Sequence, residues 1–149
     1  MKHLSAFVLL AAGFLGTVAV TPASAQVARD GNFYEEVKFA NCGTTTACQL
    51  EFSATPQLIL FSKVSCLMFV ASSAMYAAIL EIRDVSGGAT RRREALQFPA
   101  PVAVGTTNNY SFVIPTDFMV SASKFPVIEI FQTGASAPYL ECKITGRLQ

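Results

Sequence analysis

Tyr139-Leu140-Glu141-Cys142-Lys143-Ile144-Thr145-Gly146-Arg147-Leu148 alternates apolar and polar residues along almost its whole length. Successive side chains of an extended strand point to opposite faces. Leu140, Cys142, Ile144 and Leu148 therefore share one side, while Glu141, Lys143, Thr145 and Arg147 point away. A strand with one apolar and one polar side belongs to a sheet that turns one face to a core. Residues 58–71 read the same way: Val64, Cys66, Met68 and Val70 fall on one face of a long strand, or of two strands bent near Ser62-Lys63.

The period of two extends outward in both directions. Residues 34–40 place Val37 and Phe39 on one face and Lys38 on the other, and residues 48–54 set Leu50 and Phe52 against Gln49, Glu51 and Ser53. Residues 76–84 align Tyr76, Ala78, Leu80 and Ile82 against Glu81 and Arg83. Gly87-Gly88 marks a turn into a more polar strand over 91–98, with Ala95 and Leu96 or Phe98 inward. Pro99-Ala100-Pro101 reads as a corner or an edge. Residues 110–114, 118–122 and 127–132 complete the set, with breaks at 105–109, Pro115, Lys124–Pro126 and 134–138. The alanines within 70–80 favour a helix, but alternation and β-branched neighbours oppose it. Eight to nine short strands with turns between them specify an all-β fold, an antiparallel β-sandwich of jelly-roll or immunoglobulin-like type.

Residues 1–25 have a basic start, an apolar run over 4–20 and a small-residue exit, the grammar of a signal peptide cleaved between Ala25 and Gln26. Residues 26–32 are expected to be a flexible N-terminus and 33–149 a single domain, periplasmic or extracellular, with no membrane span after cleavage. Eleven basic residues, one of them Lys2, face ten acidic ones, so the exported chain is nearly neutral. That balance argues against nucleic acid or an anionic membrane as partner. Four cysteines in a small exported chain read as two disulfides with three possible connectivities. Local closure favours Cys42–Cys48 around a small polar loop. Cys66–Cys142 then joins two residues that each lie on an apolar strand face.

The one histidine, His3, leaves with the signal peptide. A Ser-His-Asp triad, a Cys-His pair and a His-Glu-x-x-His zinc site are therefore not expected, and no metal or other cofactor is implied. Glu81, Asp84, Glu94, Asp117, Glu129 and Glu141 are the acids from which a hydrolase would draw its pair, although solvated strand surface is their ordinary role. Arg91-Arg92-Arg93 is the sharpest surface feature. Arg91 and Arg93 with Tyr110 and Tyr139 form a candidate site for an acidic glycan, the arginines gripping the anion and the tyrosines stacking. Arginines that guard a sheet edge are the plainer alternative.

Thr55-Pro56-Gln57-Leu58-Ile59-Leu60-Phe61-Ser62-Lys63-Val64-Ser65-Cys66 and the ending Cys142-Lys143-Ile144-Thr145-Gly146-Arg147-Leu148 resemble a loose group of small exported bacterial proteins. These share a proline leading into a strand that finishes Val-Ser-Cys or Val-Ser-Gly, and a last strand Cys-x-Ile-x-Gly-x-Leu. The resemblance implies a β-sandwich and an exported location, and no activity. The combined expectation is a non-catalytic secreted or periplasmic protein that binds a protein or cell-envelope component. A carbohydrate-binding module for acidic glycans and a small hydrolase with paired carboxylates are the alternatives.

Overall fold

The structure, a computed structural model, describes residues 26–134 and 136–149; the expected signal peptide lies outside them. Ten strands follow one another: β1 (Gln26–Asp30), β2 (Phe33–Asn41), β3 (Ala47–Glu51), β4 (Ile59–Ala71), β5 (Met75–Arg83), β6 (Thr90–Ala95), β7 (Val102–Val104), β8 (Thr107–Val120), β9 (Phe125–Gln132) and β10 (Tyr139–Leu148). They form a six-stranded sheet, β1-β2-β10-β4-β8-β7, and a four-stranded sheet, β3-β9-β5-β6. Every pairing is antiparallel.

The pairings nest. β2 pairs with β10, β3 with β9, β4 with β8 and β5 with β6, so the chain is one long hairpin rolled over itself. Of the two sandwich types expected, this is the jelly roll. Strands β1 and β7 widen one sheet at its two edges. Between the sheets lie Ile59, Phe61, Val64, Met68 and Val70 of β4, Leu80 of β5, Ile128 and Ile130 of β9, and Leu140 and Ile144 of β10, all essentially inaccessible to water. Each such side chain stabilises the fold by about 1.5–3 kcal/mol before chain entropy is charged against it.

Cys66 and Cys142 are direct cross-strand partners with Cα atoms 4.1 Å apart, and their disulfide is buried. Cys42–Cys48 closes the short passage from β2 in one sheet to β3 in the other. Both expected bridges are present, and they mark the chain as non-cytoplasmic. Among the described residues no helix is long and apolar enough to cross a membrane.

Several details correct the expectations. Residues 26–30, expected loose, pair in full with β2 through a turn at Gly31, whose φ of +55° suits glycine. In the stretch 70–80 alternation prevails over the alanines, as expected: it is the end of β4 and the start of β5. Tyr76 is 61% exposed, because the register of β5 on β9 shifts between Met75 and Ala77 and turns it out. Ala95 is exposed, and Leu96 takes the inward place. Pro115 does not divide two strands: β8 runs through it, and β7 covers only Thr107–Asn109, so no neighbour on that side asks Pro115 for an amide hydrogen. The registers of β4 with β8 and with β10 also shift at one level, around Ser62. There a Cβ on Gly146 would lie 2.5 Å from the Leu60 carbonyl oxygen, an approach only glycine permits.

Candidate functional site

The residues proposed for an acidic glycan do not meet. Tyr110 is 1% exposed and belongs to the core; its hydroxyl accepts the Met75 amide at 2.8 Å, and Phe98 stands edge-on to its ring. So buried, its ring offers no face on which a sugar could stack. The reason is parity: on β8, Tyr110 and Phe112 are buried while Ser111 and Val113 point out. Tyr139 is half-buried on the outer side of the six-stranded sheet, beside Phe69. Its hydroxyl donates to Glu141 Oε2 at 2.9 Å, and this bond raises the Tyr139 pKa. Arg93 is the register partner of Glu81 on the outside of the other sheet. Arg91 pairs with Asp84, which also holds Lys124 at 2.7 Å; hydrogen bonds from Lys124 and then Arg91 keep the Asp84 carboxyl below its usual range. The arginines and Tyr139 thus occupy opposite sides of the sandwich.

Arg92 turns the other way. Its guanidinium lies 4.1 Å over the Phe118 ring and donates to the Met119 carbonyl at 3.3 Å. Beside it Glu94 accepts the Thr116 hydroxyl at 3.1 Å. Strand β6 therefore closes its side of the sandwich with inward charges, a known defence of an edge strand. Glu94, Asp117, Ser62 and Thr116 line one cleft of about 410 Å³. Most other acids are engaged within the fold: Glu81 with Arg83 and Thr90, Glu129 with Gln49, and Glu51 with Ser86 and Gly87. Among the described residues no group of three His, Cys, Asp or Glu side chains could hold a metal ion.

A second surface feature is the outer face of the six-stranded sheet. Cys66, Met68, Cys142 and Ile144 point into the core, so their neighbours Leu67, Glu141 and Lys143 point out. Register then aligns two rows across four strands. Val37, Lys143, Ser65 and Val113 form one, and Phe39, Glu141, Leu67 and Ser111 the next. A third row holds Asn41, Tyr139, Phe69, Asn109 and Val102. Leu67, Phe69, Val102 and Val113 are all exposed, Val113 by 64%. A hollow of about 290 Å³ opens above Ser65 and Ser111, between Leu67 and Val113. Lys143 is tied to Glu35 at 3.3 Å, so the charges on this face are balanced.

Sequence reasoning missed this face because it assigned apolar side chains to the interior. Val37 and Phe39 are in fact turned out, while Glu36 and Lys38 turn in. The available signal was in β4: Leu67 and Phe69 alternate with Cys66, Met68 and Val70, so both faces of that strand are apolar.

No protein-family model and no curated protein matches the sequence. Among solved structures, dimeric latent PorU from Porphyromonas gingivalis is similar over 85% of this chain and 14% of that one, at 7% identity and a TM-score of 0.42. This chain therefore spans only a small part of that protein, and a likeness at this level says nothing of function.

Proposed function

We propose that this is a non-catalytic exported protein, periplasmic or extracellular, that binds a protein or cell-envelope component through the outer face of its six-stranded sheet. The observation that carries the reading is the run of outward apolar side chains, Val37, Phe39, Leu67, Phe69 and Val113, on adjacent strands. Single exposed apolar residues are ordinary on any protein, whereas a contiguous patch marks a contact surface. The near-neutral chain and the balanced pairs on this face suit a protein partner better than a polyanion.

The test compares the wild type with Leu67→Arg and Tyr76→Arg, each immobilised and exposed to an envelope extract. Leu67→Arg is expected to lose at least ten-fold in capture, and Tyr76→Arg, on the opposite sheet, to retain it. Equal capture by all three contradicts the reading. The cleft shared by Glu94 and Asp117 supports a second reading, a small hydrolase with paired carboxylates. Hydrolysis of a glycan that Asp117→Asn abolishes would identify it, and silence across a glycan panel removes it.

A further inference from the structure

We infer that the partner of this face is a second copy of the same chain, stacked on it about a two-fold axis that passes over β10 at the level of Cys142. The inference rests on the proposed use of the outer face and names its occupant. An axis lying between the two sheets and perpendicular to the strands sets each strand over its own copy, run in the opposite direction. It exchanges the two central rows. On β10, Glu141 then faces the partner's Lys143, and Lys143 faces the partner's Glu141, two opposite-sign pairs where a shift by one row would set like charges together.

The other strands obey the same exchange. On β4, Leu67 faces the partner's Ser65; on β8, Val113 faces the partner's Ser111; on β2, Phe39 faces the partner's Val37. Leu67 and Val113 stand on one diagonal of a checkerboard, and Ser65 and Ser111 lie on the other. On β4 and β8 each large side chain so meets a small one, and the hollow of about 290 Å³ above the serines receives the partner's Leu67 and Val113. An isologous interface requires self-complementarity of this kind. Strand spacing gives the face about 25 Å each way, on the order of 600 Å² per copy, which reaches the lower limit of specific interfaces. Near-zero net charge leaves no long-range repulsion between copies.

Sedimentation velocity of the exported chain, from micromolar upward, tests this with the variants Glu141→Lys, Lys143→Glu and Ser65→Leu. The wild type is expected to sediment at twice the chain mass. Each charge reversal alone is expected at the monomer mass, and an equimolar mixture of the two at the dimer mass again, since only the mixed pair restores opposite signs. Ser65→Leu, which adds apolar surface but fills the hollow, is expected to weaken the dimer at least ten-fold; unspecific hydrophobic association would strengthen instead. Circular dichroism checks that the variants fold. A wild type monomeric at every concentration, reversals as dimeric as the wild type, or a mixture that stays monomeric would each overturn the proposal. A monomeric wild type that still captures an envelope component through Leu67 overturns the self-pairing alone. One that does neither overturns the reading of the face as well.

Discussion

Glu36 is fully buried on the inward side of β2, and the fold accommodates its carboxylate with donors. Oε2 accepts the Tyr34 hydroxyl at 2.5 Å; Oε1 accepts the Ser53 amide at 2.9 Å and the Ser53 hydroxyl at 2.8 Å, with Lys38 Nζ at 3.8 Å. Burial, and then the bond to Glu36, push the Tyr34 hydroxyl far above its ordinary pKa, so it remains a donor. A buried acceptor stripped of one donor costs about 1–3 kcal/mol. Tyr34→Phe is therefore expected to lower unfolding free energy by about that amount in urea denaturation, while Tyr139→Phe, whose partner Glu141 reaches water, changes it by less than about 0.5 kcal/mol. Equal effects would contradict the network. None of this was legible in the sequence, where Glu36 looks like a surface acid next to Val37. Polarity gives the phase of a strand only when its two faces differ in character, and β2 carries an acid and a base on its inward face.

Among the elements, strands with unequal faces were readable and irregular ones were not. Residues 140–144, 64–70 and 48–52 read as they fold, and the alternation of Cys66 and Cys142 on inward faces is what made their bridge readable. Tyr76 was misplaced because a register shift moves it to the other face, and such a shift has no signature in residue type. Strand β1 was missed for its polarity, although the two-residue loop Gly31-Asn32 is a hairpin signal. The two bridges hold different elements. Cys66–Cys142 closes a separation of 76 residues between neighbouring strands of the core, and Cys42–Cys48 one of 6 between the sheets. Chain entropy alone assigns them about 4.5 and about 2.4 kcal/mol. Cys142→Ala is accordingly expected to lower the melting temperature well beyond Cys48→Ala, and equal shifts in calorimetry would contradict this account of the core.

For the whole molecule, the rolled hairpin explains why one sheet face carries exposed apolar side chains. Nesting β2 on β10 and β4 on β8 places the most apolar strand, β4, between β10 and β8, so one of its apolar faces meets the core and Leu67 and Phe69 on the other remain exposed. On the opposite sheet Tyr76 lies against Phe131, and the neighbouring outward positions are tied up by Glu81, Arg83, Gln49 and Glu129. The edge at β6 is closed by Arg92 and Glu94, which directs association toward a face and away from strand addition there. The most direct measurement is photo-crosslinking in intact cells with a photoreactive residue at position 67 or 113, compared with position 76 or 93. The account predicts discrete adducts at 67 and 113 and none at 76 and 93. Adducts confined to the four-stranded sheet, or spread equally over all four positions, would contradict it.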